Sequence, residues 1–495
     1  MYSYRGGVGQ FPEDAMKIRS HLFNSLSEKA LSDDRLQGNL ERIGIAFRNL
    51  REAAFSRLDN AEELRDRGRA IKEEALERLP ELLEKLEVKV QEAGGVVHWA
   101  RTPIEARRIV IDLAKKHKVR SVVKGKSMVT EEIGLNAALA DHGIEVWETD
   151  LGEFIIQLAD EPPSHLVGPA LHKSKEEIAE LFAQKLRVPY TAIPQELTMI
   201  AREQLREKFL SSQMGITGVN MAVAETGSIV LVENEGNIRM STTIPRIHVA
   251  IMGIEKVIPT LDDLVILLSL LARSTTGQAL SVYTSIFTGP RREGEMDGPE
   301  EFHLIILDNG RSRILADPDL RETLYCIRCG ACLNVCPVYL KIGGHSYGWV
   351  YSGPIGSVLT PQLIPPRLAR ALPFASTLCG ACAEVCPVRI DLPRLLMTLR
   401  WKMVEDRGWD AGISFHRRLP VLLFGWLAAH PHLYMAASRS ARVLPRLFAR
   451  SGRWKLLPPP ISRWGRQRNI PMLRKPFSQR WTRLKKELLN GGNSQ

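Results

Sequence analysis

All seven cysteines of this 495-residue chain fall between residues 326 and 386, in two blocks of similar sequence. The first block has the spacing C-x2-C-x2-C-x3-C-P and consists of Cys326, Cys329, Cys332 and Cys336. The second block has the same spacing, but Ser376 replaces the first cysteine, and the remaining positions are Cys379, Cys382 and Cys386. Thiolates at this spacing hold [4Fe–4S] clusters in bacterial iron–sulfur proteins. The two blocks therefore predict iron–sulfur chemistry.

The two cysteine blocks are predicted to exchange one ligand each. In proteins with two clusters, the fourth cysteine of each run ligates the other cluster. The first cluster is then predicted to be bound by Cys326, Cys329, Cys332 and Cys386. The second cluster receives only three cysteines, which are Cys336, Cys379 and Cys382. A zinc site could also use two CxxC pairs, but zinc does not explain the full run and its near copy.

The second cluster lacks a fourth cysteine, and three nearby side chains are candidates for that place: Ser376, His345 and Asp391. Ser376 is in register with the first cysteine of the other block. Serine is also an ordinary turn residue, and we expect that none of the three ligates. The fourth iron would then carry water or a small molecule, or be absent in a [3Fe–4S] form.

Composition and length limit the class of protein. The chain is long enough for several domains, and its N-terminus lacks the apolar segment of a secretory signal. No window reaches the roughly 18 apolar residues of a membrane span; residues 419–429 fit a core or interfacial helix better. Because cluster thiolates suit a reducing compartment, we expect a cytoplasmic protein, with peripheral contact at the inner face of the membrane left open.

Four regions follow one another along the sequence. Residues 1–90 have the composition and apolar spacing of helices, and we expect them to pack as a collar against the next domain. Strand and helix patterns alternate over residues 91–310, which predicts an α/β domain with a largely parallel sheet. Residues 311–400 are predicted to form a mainly helical ferredoxin-type domain, whose glycine-rich link between the cysteine blocks serves as a docking surface or packs over the clusters.

Residues 401–495 form a basic, tryptophan-rich region. They contain 19 Lys and Arg against 4 Asp and Glu, whereas the other 400 residues contain 48 against 52. A partner protein or packing on its own domain is our first interpretation. An anionic membrane surface comes next, and nucleic acid comes last.

Two segments of the α/β region could bind a ligand or act in catalysis. Residues 124–127, Lys-Gly-Lys-Ser, could hold a phosphate or a carboxylate, but they lack P-loop spacing and could equally be a plain loop before a helix. Glu225 could be a functional carboxylate if it is buried, although a tight turn explains its neighbourhood better.

A histidine pair in the same region could bind a metal. His165 and His172 are seven residues apart, and Asp150 and Glu153 precede them. Imidazole and carboxylate groups are common metal ligands, but solvated or supporting roles are the simpler interpretation.

The chain resembles the lactate utilisation protein B family, whose members are iron–sulfur proteins with an N-terminal LUD domain. The resemblance rests on strings distributed over most of the chain, at residues 148–159, 163–166, 222–228, 233–237 and 307–312, together with both cysteine blocks. The serine at position 376 is part of the match. The region after about residue 400 is the least diagnostic.

The resemblance implies a LUD fold similar to that of sugar-phosphate isomerases and CoA-transferases, and a role in oxidising L-lactate to pyruvate. It implies two partners, a cysteine-rich iron–sulfur protein of the glycolate-oxidase type and a smaller LUD-domain protein. It also supports the crossed ligand assignment, with two [4Fe–4S] clusters and three cysteine ligands on the second.

Our leading hypothesis is an electron-transfer subunit of a lactate-oxidising complex, because the sequence has no GxGxxG and no recognisable flavin site. We expect this chain to carry electrons rather than to be the site of lactate oxidation. Two alternatives are an iron–sulfur protein that binds nucleic acid through its basic region, and a LUD-domain enzyme that acts on a phosphorylated or CoA-linked acid through a carboxylate such as Glu225.

Overall fold

A computed structural model describes residues 18–405, 415–443, 449–450, 453–454, 470–471, 480–481 and 484–486. The described residues up to 405 form one compact unit, and those from 415 onward form a second. Most of the basic C-terminal region, including the arginine-rich stretch within residues 455–469, lies outside the described residues.

The first unit begins with four helices: α1 Phe23–Leu31, α2 Asp34–Phe55, α3 Ala61–Glu77 and α4 Leu79–Glu92. The side chain of Asp33 caps α2 by accepting the N–H of Leu36 at 2.9 Å, which satisfies one of the free donors at a helix start. Apolar residues at helical spacing put a buried stripe on α3 and α4.

Ten strands follow in the α/β region: β1 Val96–Ala100, β2 Ser121–Lys124, β3 Glu145–Glu148, β4 Met214–Gly218, β5 Met221–Val223, β6 Ser228–Glu233, β7 Ile247–Gly253, β8 Val257–Ile258, β9 Tyr283–Phe287 and β10 Glu301–Leu307. Six of them form a wholly parallel sheet in the order β1-β10-β7-β4-β2-β3. The other four form a second sheet in the order β8-β5-β6-β9, with antiparallel pairing around β6.

Nine helices accompany these strands: α5 Pro103–Lys116, α6 Met128–Glu132, α7 Leu135–Ala140, α8 Leu151–Ala159, α9 Lys175–Leu186, α10 Pro194–Ser211, α11 Asn237–Thr243, α12 Leu261–Leu271 and α13 Arg311–Ala316. The central strand β7 is buried along its whole length, as expected for a parallel sheet covered on both faces. The predicted α/β architecture with a parallel sheet is confirmed, whereas the second, mixed sheet was not anticipated.

The cysteine region is mainly helical, as predicted. Its helices are α14 Ala331–Asn334, α15 Tyr339–Ile342, α16 Gly353–Leu363, α17 Ala381–Glu384 and α18 Leu392–Glu405. The short helices α14 and α17 each begin directly after the glycine of one cysteine block. Every residue of α16, which lies in the link between the blocks, is buried. Of the two predicted roles for this link, the structure supports packing for α16 rather than docking.

The second unit contains α19 Phe415–Ala428, α20 Pro431–Val443 and three short strands, β11 Ala449–Arg450, β12 Arg453–Trp454 and β13 Ile470–Pro471. Apolar side chains of α19 such as Val421, Leu422 and Phe424 are exposed. A helix is present at residues 419–428, as predicted, and its exposed apolar side chains fit an interfacial helix better than a core helix. No described helix is long and apolar enough to cross a membrane.

Candidate metal centre

Four thiols line one small cavity. They belong to Cys326, Cys329, Cys332 and Cys386, and Ile355, Val388 and Ile390 are among the apolar residues that complete the walls. Cys386 comes from the second block, 54 residues after Cys332. The fold thus brings together the crossed set of four cysteines that the spacing predicted, within a water-poor pocket suited to a cluster.

The other three cysteines influence one another electrostatically. Burial raises the pKa of the Cys382 thiol to about 12, and the nearby Cys336 and Cys379 thiols add to the shift. Burial also raises the pKa of Cys336, and Cys379 contributes in the same direction. The helices α14 and α17, which contain or adjoin these cysteines, are also in contact, so the three thiols belong to one neighbourhood. Cys379 is exposed, whereas Cys336 and Cys382 are buried.

The backbone around the thiols has the form that a cluster requires. Arg328 and Gly330 in the first block have positive φ angles of 62° and 85°, and Leu378 and Gly380 repeat them at 55° and 88°. Such left-handed residues turn successive N–H groups inward. Backbone N–H groups donate to three sulfurs: Arg328 to Cys326 at 3.4 Å, Tyr339 to Cys336 at 3.5 Å and Ile390 to Cys386 at 3.3 Å. The residues present therefore fit an iron–sulfur cluster, whose sulfur charge such donors stabilise.

Ser376 occupies the place of a cysteine in the second block. Its Oγ accepts the N–H of Leu378 at 3.1 Å, the counterpart of the bond from Arg328 to Cys326. His345 and Asp391 are engaged in other contacts. The His345 ring is bonded to the carbonyl of Pro162, and Asp391 accepts the N–H of Arg394.

Arginines of the N-terminal helices bind the second cysteine block. Arg65 donates to the carbonyl oxygens of Glu384 and Cys386, and Arg51 donates to that of Val385 at 3.1 Å. The predicted collar therefore packs on the cysteine region as well as on the α/β region. Arg65 is buried in this contact.

A chain of buried charges connects the sheet to the first cysteine block. Arg311 donates to both carboxylate oxygens of Glu132 at 2.8 Å, and its Nε lies 2.7 Å from Glu255 Oε2. Arg328 Nη2 lies 3.5 Å from Glu255 Oε1. Although burial opposes it, the charges of Arg311 and Arg328 lower the pKa of Glu255 to about 2. This network could not be predicted from the sequence, because its members are far apart in the chain.

The Lys-Gly-Lys-Ser segment contributes two lysines with different surroundings. Lys124 is fully buried, and its ammonium lies 3.0 Å from Glu131 and 2.8 Å from Glu148. Lys126 donates to the carbonyl of Val167. Glu225 is exposed and accepts the N–H of Leu261 at 3.0 Å, so it is a turn residue at a helix start and not a buried catalytic carboxylate.

The two predicted metal-binding histidines are separate from each other. His165 is buried against Asn334 at 3.1 Å, and burial lowers its pKa to about 3. His172 contacts Glu161 at 2.7 Å and packs on His345. Lys173 donates to the same Glu161 carboxylate at 2.7 Å. The lysine ammonium thus supplies this carboxylate with the positive charge that a bound metal ion would otherwise provide.

Asp150 and Glu153 do not join these histidines. Asp150 caps α8 by accepting the N–H of Glu153. Glu153 groups with Glu131 and Glu148, and burial together with these neighbours raises its pKa well above the usual range. The four side chains therefore do not form one metal site, and the simpler interpretation of supporting roles fits their contacts.

Comparisons with known proteins agree with this architecture. The family model of the LUD domain matches residues 83–307, and that of the 4Fe-4S dicluster domain matches residues 322–390. The latter match supports iron–sulfur clusters in the cysteine region. The solved structure of a DUF162 family protein from Deinococcus radiodurans covers 46% of this chain and 98% of its own length, at 13% identity and a TM-score of 0.27, a likeness too weak to carry weight.

Curated relatives match almost the whole chain. Lactate utilization protein B of Bacillus licheniformis is 45% identical over 94% of this chain and 97% of its own length. The proteins of the same name from Anoxybacillus flavithermus and Bacillus subtilis are 45% and 44% identical, over 94% of this chain and 98% and 97% of their own lengths. With its LUD domain, its dicluster domain and relatives at this identity over nearly full length, the chain belongs to the lactate utilisation protein B family.

Proposed function

We propose that this chain is an iron–sulfur electron-transfer subunit of a complex that oxidises L-lactate to pyruvate and so allows growth on lactate. The name of its relatives supports the lactate role. The observation that carries the electron-transfer role is the cavity lined by four thiols from both cysteine blocks, beside a second group of three. When bound, clusters at these positions supply one-electron transfer.

The proposed ligand sets follow the crossed assignment. Cluster one takes Cys326, Cys329, Cys332 and Cys386. Cluster two takes Cys336, Cys379 and Cys382, with no cysteine in its fourth position. Both are proposed to be [4Fe–4S] clusters, because the first block has the full run typical of that form and the second repeats its spacing with Ser376 in place of the first cysteine.

The exposure of the thiols differs in a way that suits a route to the surface. In the four-thiol set, Cys386 is buried and the others are partly buried. In the three-thiol set, Cys336 and Cys382 are buried and Cys379 is exposed. The second set is thus the one with a fully exposed thiol that a partner could approach. We assign the exit for electrons to the side of Cys379.

A docking surface for the partner is available beside the second block. Phe374, Met397 and Trp401 are exposed large apolar side chains. Arg400 stacks over the Phe374 ring and donates to the carbonyl of Ser376, which brings α18 next to this block. Exposed apolar and aromatic residues mark protein interfaces.

The partners proposed for the complex are a cysteine-rich iron–sulfur protein of the glycolate-oxidase type and a smaller LUD-domain protein. The exposed apolar residues of α19 support a further contact, with a partner or with the inner face of the membrane from a cytoplasmic location. The described residues give no support for nucleic-acid binding. The alternative of a separate LUD enzyme activity relied on Glu225 as a buried catalytic carboxylate, and Glu225 is exposed.

Reconstitution tests the proposal. The complete complex is assembled from purified subunits, and lactate-dependent reduction of an electron acceptor is compared with and without this chain. We expect the rate to fall to background when the chain is left out, and to fall strongly with Cys379→Ser. Normal lactate oxidation in the absence of the chain would overturn the proposal.

A further inference from the structure

A cavity of about 300 Å³ lies between the parallel sheet and the first cysteine block. On the sheet side it is lined by Lys126 and Ser127, which follow β2, by Gly218 at the end of β4 and by Gly253 at the end of β7. Ligands of α/β sheets bind at this carboxyl edge of the strands. The volume is at the lower end of the range for small-molecule sites.

The opposite wall of the cavity belongs to the redox region. Arg328 and Cys329 line it together with Tyr351. Cys329 is one of the four thiols of the smaller, apolar cavity. A molecule bound in the larger cavity would therefore lie beside Cys329, one of the proposed ligands of cluster one.

Arg328 has an unsatisfied hydrogen-bond donor at this wall. Its side chain is only 10% exposed. One terminal nitrogen, Nη2, faces Glu255 at 3.5 Å, whereas the other, Nη1, is buried with no hydrogen-bond partner among the described residues. A buried donor without an acceptor is costly, and such a guanidinium is well suited to bind a carboxylate.

Lys256 also lines the cavity, and its side chain has no hydrogen bond or ion pair to any described residue. Burial and the adjacent charge of Arg328 lower the pKa of its ammonium to about 8. The neighbouring carboxylate Glu255 is already engaged by Arg311 at 2.7 Å. Two cations at this end of the cavity therefore lack a full set of acceptors.

Charged side chains of both signs line the cavity. The cations are Lys126, Lys256, Arg311 and Arg328, and the carboxylates are Asp150, Glu233, Glu235 and Glu255. Each carboxylate already has a donor: backbone N–H groups donate to Asp150, Glu233 and Glu235, and Arg311 pairs with Glu255. By contrast, Arg328 Nη1 has no hydrogen-bond partner among the described residues.

We infer that this cavity is a binding site for a small organic carboxylate, held by Arg328 and Lys256 beside the first cysteine block. The choice of a 2-hydroxy or 2-oxo acid as the carboxylate rests on the proposed function. The site gives this chain a role in substrate or product binding in addition to carrying electrons.

The test is calorimetric titration of the full-length, cluster-containing chain with pyruvate and L-lactate under anaerobic conditions. The wild-type chain is expected to bind at least one of them saturably. Lys256→Met, which keeps the length of the side chain and removes its charge, is expected to weaken binding about ten-fold. The matched control is Lys185→Met, on the exposed face of α9, which is expected to bind like the wild type with the same iron content.

A spectroscopic readout accompanies the titration. The EPR signal of the reduced chain is expected to shift on addition of the bound carboxylate in the wild type, but not in Lys256→Met. If Lys256 serves only as a counter-charge for the cluster, the variant changes the signal without ligand and leaves carboxylate binding intact, which overturns the inference. Equally tight binding of inorganic phosphate would overturn the assignment to a carboxylate.

The titration and the reconstitution of the complex test separate claims. If the isolated chain binds no carboxylate while the complex still requires it for lactate oxidation, the cavity inference falls and the electron-transfer role stands. If the complex oxidises lactate without this chain, the electron-transfer role falls whatever the titration shows.

Discussion

At the scale of single residues, Arg311 is a buried positive charge that depends on buried carboxylates as its counter-charges. Its side chain is almost fully buried and pairs with two carboxylates, those of Glu132 and Glu255. Glu132 also accepts hydrogen bonds from Asn309 and from the Tyr351 hydroxyl, both at 2.6 Å. A buried ion pair adds little net stability when complete, but removal of one member leaves the other charged and desolvated.

We predict that Arg311→Met destabilises the folded chain by about 3–5 kcal/mol, because two buried carboxylates lose their counter-charge. The melting temperature of the cluster-containing protein measures the effect. The matched control is Arg246→Met, whose exposed pair with Glu300 contributes at most about 1 kcal/mol. Similar melting temperatures for the two variants would contradict the role given to Arg311.

Ser376 has the position of a ligand, and its Oγ accepts the N–H of Leu378 as the Cys326 sulfur accepts that of Arg328. Because iron–sulfur clusters are held by thiolates and serine is an ordinary turn residue, we predict that Ser376→Ala leaves the iron content per chain unchanged. Ser376→Cys is the companion variant, which supplies the missing thiol and should give about eight irons per chain. A loss of iron from Ser376→Ala, measured against the wild type, would show that the serine oxygen ligates.

At the scale of elements, the link between the two cysteine blocks packs closely against the α/β region. A Cβ on Gly344 would lie 1.7 Å from the backbone oxygen of Ser164. The Tyr339 hydroxyl donates to the same oxygen at 2.9 Å. The link therefore touches the α/β region through backbone atoms that cannot move aside as a flexible side chain can.

We predict that Gly344→Ala lowers the melting temperature and the iron content, since the added methyl group separates the link from residue 164. Gly38→Ala in α2 is the control, because a Cβ there meets nothing within 4 Å and alanine favours a helix by about 1 kcal/mol. If Gly344→Ala retained full iron and the wild-type melting temperature, the link would not be needed to form the site.

Elements with a strong local pattern could be predicted from the sequence. Clusters of apolar residues give a clear strand pattern at residues 121–124, 247–253 and 301–307. Strand β4 has a weaker pattern because two of its five residues are glycine, and glycine weakens a strand. The turn between α6 and α7 is equally hard to predict, because residues 131–142 have a helical pattern and only the φ of +64° at Gly134 shows the break.

At the scale of the whole molecule, the cysteine spacing was enough to predict which four thiols meet, since ligand crossing is a property of the run itself. The larger cavity could not be predicted. Its residues come from positions as distant as Lys126, Lys256 and Arg328, and only the packing of the cysteine region against the sheet edge brings them together. The packing of α3 on the second cysteine block explains why Arg65 is buried.

The central claim is that this chain holds two iron–sulfur clusters on the crossed cysteine sets. Its most direct test is anaerobic iron, sulfide and zinc analysis of the purified chain, combined with EPR of the oxidised and the dithionite-reduced protein. We predict about seven to eight irons with matching sulfide. Two reduced-state signals would indicate two [4Fe–4S] clusters, and an oxidised-state [3Fe–4S] signal would indicate an open fourth position in the second. Zinc with little or no iron would contradict the account, and the electron-transfer role would fall with it.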